Sequence, residues 1–294
     1  MKPTKSNLVP LCAALLLQLQ LPCVASADYH VSQQGGSADT TSDNITVHER
    51  IRAGALDSTS GNIEIGLGAS ATKADTTSGN VSLGTGAQVH GRIDTTSGDV
   101  RLGARAISGQ IDTTSGNVEL QDESSAQMID TTSGDVRLSE KARCRKIDTT
   151  SGNVKLARGA YVDGVIDTSS GSVNANFASI AGDVYTSSGS IWLEKSRVGD
   201  DVRTSSGDVT LLQSDIRGDL IIREKKCGWI SWGCGDDSDQ RVVIGAGTVI
   251  HGSLRIERKV ELVIDPSARI GRIENRSNTL VPSMNLPAER VGGL

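Results

Sequence analysis

A ten-residue phrase close to I-D-T-T-S-G-N-V-x-L returns every 18 or 19 residues through most of this 294-residue chain. Its Asp falls at Asp39, Asp57, Asp75, Asp94, Asp112, Asp130, Asp148 and Asp167, and Tyr185 and Arg203 hold the same slot in two further copies. A short fixed period means stacked units, none of which can bury its own apolar face alone. Two kinds of stack fit such a period: the coils of a solenoid, or a series of hairpins.

Each period carries three apolar patches. One is the residue before the Asp slot, as at Ile93, Ile111, Ile129 and Ile147. A second is V-x-L, as at Val118 and Leu120, where the period of two turns both side chains to one face of a strand. A third, looser patch reads apolar-x-Gly-x-apolar, with Val89 and Ile93, Ile107 and Ile111, Val162 and Ile166, and Ile216 and Leu220 pointing inward. β-Branched residues suit a pleated, half-buried surface, and no 3.6-residue stripe suggests a helix. The expected fold is all-β: a single-stranded parallel β-helix, or β-solenoid, with about 18 residues per coil, about twelve coils and right-handed by preference. At ~4.8 Å per coil the rod would be roughly 55–60 Å long. Hairpins turning at T-S-G-N explain the even spacing less well, because only coils set every residue over its counterpart.

The slots between the patches are polar. Gly recurs after a Ser in nine of ten copies, with Asp43 the exception, which suggests a backbone with positive φ. The Ser before it, Ser42 through Ser206, recurs in all ten and is expected to make a corner hydrogen bond. A catalytic Ser would be needed once. Stacked Asp side chains repel by about 0.9 kcal/mol per neighbouring pair in water. Either turn N–H groups donate to each Asp, or calcium sits on a ladder such as Asp94, Asp112, Asp130 and Asp148. The calcium-binding nonapeptide G-G-x-G-x-D is not the repeat found here.

The ends and one interruption break the pattern. Lys2 and Lys5, an apolar run from Leu8 to Val24, and Ala25-Ser26-Ala27 predict a signal peptide over 1–27. Gln18, Gln20 and Pro22 interrupt that run, and it is short for a membrane span. No later stretch approaches a span, so the expected product is exported to the periplasm, cell surface or exterior. The β-helix domain is placed at 28–274 and a tail or cap at 275–294. From Gly218 to Gly252 the chain runs 34 residues where a coil needs 18, and the excess falls within 223–240. Cys227 and Cys234 bracket this excursion and are expected to form a disulfide in an oxidising compartment. Inside it Trp229, Ile230 and Trp232 either fold back on the rod or form a contact patch for a partner. Alternation from Ala142 points Cys144 inward as an inert buried thiol.

The net charge of −5 gives no electrostatic ground for nucleic-acid binding. Aromatics are 2%, and His30, His48, His90 and His251 are scattered, so no catalytic set or cofactor is suggested. The expected function is a non-catalytic structural or adhesin-like protein of the cell envelope. Its partner would be an envelope protein, a glycan or another copy of itself. Two alternatives stand beside it: a calcium- or ligand-binding module using the Asp ladder, and a carbohydrate-active β-helix enzyme.

The I-D-T-T-S-G-N-V phrase over residues 38–212 resembles an adhesin-type family of exported bacterial repeat proteins of unknown function. The segment V-V-I-G-A-G-T-V-I-H-G-S-L-R-I at 242–256 resembles the coils of bactofilins, the polymer-forming bacterial β-helix proteins. Both resemblances imply a β-helix, and neither supplies catalytic residues to carry over.

Overall fold

The computed structural model describes residues 28–224, 240–277 and 279. Among them every regular element is a β-strand, and every strand pairing is parallel. The V-x-L segments form one sheet of 13 strands, from Tyr29–Val31 to Glu261–Ile264. The I-D-T segments and the third patches form a second sheet of 19 strands. The chain is therefore a parallel β-solenoid of thirteen coils against the twelve or so expected: ten carry the phrase, and Tyr29–Val31, Arg241–Ile244 and Glu261–Ile264 belong to three that do not. At ~4.8 Å per coil it rises about 58 Å along its axis.

Register does not drift. Val100, Val118, Val136 and Val154 are successive partners, as are Asp94, Asp112, Asp130 and Asp148. The inward rows are almost wholly aliphatic and close-packed, with Ile111, Leu120, Ile129 and Leu138 fully buried. A slip of one residue would expose every one of these side chains, so the burial itself fixes the register.

The excursion leaves this stack undisturbed. Leu220–Ile222 pairs with Val202–Thr204, and Arg241–Ile244 pairs with Val209–Leu211, each in register. Cys227, Cys234, Trp229, Ile230 and Trp232 lie outside the described residues, as do residues 1–27 and most of 275–294.

The structure corrects three expectations. The T-S-G glycines do not have positive φ. Gly is needed there because coils meet backbone to backbone: a Cβ on Gly116 would lie 1.8 Å from the Gly98 carbonyl oxygen, and one on Gly134 equally close to that of Gly116. Left-handed backbone occurs instead at the turn after V-x-L. It forms its own ladder, at Arg50, Gly68, Gly86, Arg105, Glu123, Lys141, Gly159, Phe177, Lys195 and Gln213. From Arg50 to Gly159 these residues occupy the third place of a four-residue turn, closed for example by the Ala106 N–H donating to the Gly103 oxygen at 3.0 Å. The third correction is Ile107, which points outward at 47% exposure, while Ser108 takes the buried slot. Strand Ile107–Thr113 runs straight through Gly109, so the inward residue pairing with Val89 is Ser108.

Cys144 does point inward, stacked between Ala126 and Val162. Burial pushes its thiol up to about 12. Iodoacetamide at mildly alkaline pH should therefore leave Cys144 unlabelled in the folded chain and label it once the chain unfolds. Rapid labelling of the native chain at this position would contradict the inward placement.

Candidate functional site

The repeated polar residues hold the coils together. The first Thr of D-T-T points inward, and its hydroxyl accepts the N–H of the Gly three residues on. The distances are 3.0 Å for Thr113 and Gly116, 3.1 Å for Thr131 and Gly134, and 3.0 Å for Thr149 and Gly152. Some of these hydroxyls also donate to the coil below, as Thr76 does to the Gly61 oxygen at 3.2 Å. The turn N–H groups are thus satisfied by Thr, not by Asp as the sequence suggests. The Asn or Asp after Gly works between coils: Asn62 Oδ1 accepts the Asn80 N–H at 2.8 Å, and Asn117 Oδ1 accepts the Asp135 N–H at 3.0 Å. The recurrent Ser does less than expected. Its side chain is exposed in most copies, and among the described copies only Ser206 makes a hydroxyl hydrogen bond, to the Ser187 oxygen at 3.2 Å.

The Asp ladder faces outward, and basic side chains interleave it. Lys73 Nζ lies 2.5 Å from Asp57 and 2.7 Å from Asp75. Arg92 bonds Asp94, and its Nε lies 2.6 Å from Asp112. Lys146 pairs with Asp148 at 3.0 Å. These pairs relieve the stacked repulsion. Burial, followed by neighbouring carboxylates, still holds Asp130 and Asp167 above the usual carboxylate range. Asp94 is also raised, by burial against the opposing pull of Arg92. A carboxyl raised in the fold binds its proton more readily than in the unfolded chain. These three therefore cost stability at neutral pH, and the cost is relieved as pH falls through their folded values. A calcium ion spread over Asp94, Asp112, Asp130 and Asp148 would have to displace both Arg92 and Lys146.

Among the described residues, Asp183, Asp200 and Asp201 are the carboxylates that converge closely, with ligand atoms within 4.8 Å of one another. Arg203 already serves this group, at 2.5 Å from Asp201 and 3.6 Å from Asp183. Although burial raises it, Asp201 is held below its ordinary value by the Asp219 N–H and by Arg203. The group is an ion cluster that joins neighbouring coils through Arg203, whose buried Nε has no hydrogen-bond partner.

The outer face of the 13-stranded sheet carries a row the sequence reading missed. Glu119, Arg137, Lys155, Asn174 and Trp192 are successive register partners. Trp192 is 43% exposed. Its position between Ile191 and Leu193 is the outward slot of V-x-L, so the period of two was a sufficient signal.

Thirteen in-register coils, with polar slots spent on joining coil to coil, define a β-solenoid repeat domain. The chain belongs to the Toastrack family, DUF4097, whose model matches residues 24–144 and 128–216. Comparison with curated proteins and with solved structures found no match.

Proposed function

We propose that this chain is an exported, non-catalytic scaffold of the bacterial cell envelope, with an adhesin-like role in presenting its outer faces to a partner. The observation that carries this reading is the use of the repeats. Post-Gly Asn and the T-S-G glycines serve the contact between coils many times over, while the inward Thr hydroxyls close each turn and, at Thr76, Thr95 and Thr186, also donate to the neighbouring coil. A uniform rod of this kind offers long outward rows of side chains, and a membership in a repeat family agrees with a scaffold. The leader-like segment at 1–27 supports export.

Cell fractionation with N-terminal sequencing tests the proposal. The expected product begins at Asp28 and is found in the periplasm, at the surface or in the medium. A chain retaining residues 1–27 in the cytoplasm would contradict it, and so would turnover of a polysaccharide in a substrate panel. A rise in melting temperature with calcium, abolished by a chelator, would favour the Asp-ladder module instead.

A further inference from the structure

We infer that the outer face of the 13-stranded sheet, between Arg137 and Trp192, is a binding strip for a linear anionic glycan. This deepens the scaffold reading by naming the chemistry of the partner, and it rests on that reading for where the partner is met.

The charge pattern is the first observation. Lys73, Arg92, Arg101 and Arg203 each reach a carboxylate within 4 Å. Arg137 and Lys155 do not, although they are exposed and directly in register. Like charges in directly opposed positions are destabilising. The chain does not lack carboxylates to neutralise them, with 35 Asp and Glu against 30 Lys and Arg. Three carboxylates border the strip, and all are engaged: Glu119, the register partner of Arg137, lies 2.5 Å from Arg101. Asp135 accepts from Asn153, and Glu194 accepts from Asn176 at 3.3 Å. An anion supplied from outside would relieve the stacked cations.

The second observation is aromatic. Trp192 ends the same row, exposed, in a chain with only three Trp and one Phe. That one Phe, Phe177, stands at the adjoining corner with φ of 52°, a conformation bulky side chains rarely take. Two cations flank its ring, Arg158 at 4.1 Å and Lys195 at 4.8 Å from the centroid, and neither has an ion-pair partner. Cation–π contacts of this kind hold a guanidinium and an ammonium in place at an exposed edge. The strip thus sets unpaired cations, amides and an aromatic face side by side.

Its shape favours a linear polymer over a membrane. The row follows the rod axis with one side chain per coil, ~4.8 Å apart. Asn174 lies between Lys155 and Trp192 and offers hydrogen bonds to hydroxyls. A lipid surface would be met by a cluster of protruding apolar groups, and this row has one.

The full mature chain should be titrated with polygalacturonate, a linear carboxylated glycan, by calorimetry and Trp fluorescence. Neutral dextran and phosphatidylglycerol vesicles serve as comparisons. The parent should bind polygalacturonate, bind it less as salt rises, and ignore dextran. Arg137→Glu/Lys155→Glu and, separately, Trp192→Ser should each weaken binding about tenfold. The milder Lys155→Gln should weaken it while leaving the melting temperature unchanged. No binding by the parent, equal binding of dextran, binding of vesicles alone, or full binding by the charge-reversed variant would each overturn the strip. Failure here leaves the localisation result standing. Turnover of the polymer would instead sink the scaffold reading and leave the strip supported.

Discussion

Gly134→Ala is expected to destabilise the rod by about 3 kcal/mol or more, an unusual cost for adding one methyl group. The added Cβ would lie 1.8 Å from the Gly116 carbonyl oxygen and 2.5 Å from its carbon. Neither atom belongs to a flexible side chain. The Gly134 N–H is fixed on Thr131 Oγ1 at 3.1 Å, and the Gly152 corner stacks above, so relief requires the coils themselves to separate. Gly86→Ala provides the contrast. Gly86 has φ of 67° and nothing within 4 Å of its Cβ position, so only left-handed strain opposes the change, about 1 kcal/mol. Denaturant midpoints of the two variants separate the causes. If Gly86→Ala were the worse of the two, close approach would not be the reason for the glycine ladder.

Val118→Asp should cost about 4 kcal/mol or more, because it buries an unpaired carboxylate between Val100 and Val136. Val118 is 1% exposed. The next residue faces the other way. Glu119→Lys removes the 2.5 Å pair with Arg101 and places a third cation between Arg101 and Arg137, yet at a solvated surface this should cost only about 1 kcal/mol. Equal melting temperatures for the two variants would show that inward and outward are assigned wrongly along this strand.

The period made the solenoid legible, because an 18-residue repeat of two apolar patches can be buried only by stacking. It also placed Val118, Leu120, Ile129 and Cys144 inward correctly, since alternation along a strand is a local rule. What it concealed were the roles of the polar slots. Asp and the Thr beside it both suit a turn, and only the pleat decides which one faces the turn N–H groups. Gly at T-S-G and Gly at 68, 86 and 159 look alike in sequence. One set answers to a close backbone approach and the other to left-handed φ, and the second is masked because Arg, Glu, Lys, Gln and Phe occupy it in other coils. Ile107 was misplaced because a Gly suggested a corner where the strand runs straight. Trp192 is inconspicuous in sequence for a different reason: it sits in an unbroken V-x-L copy, whose outward row nonetheless presents its side chains to solvent.

The central claim is that residues one period apart lie side by side in every coil. Paired cysteines test it most directly, in a background with Cys227 and Cys234 replaced by Ser. Glu119→Cys with Arg137→Cys occupies register partners ~4.8 Å apart, within disulfide reach, whereas Glu119→Cys with Lys155→Cys lies two coils apart and beyond it. Mild oxidation of the folded chain should close the first pair rapidly and leave the second open. A first pair that stays reduced, or a second pair that closes as readily, would contradict the in-register solenoid.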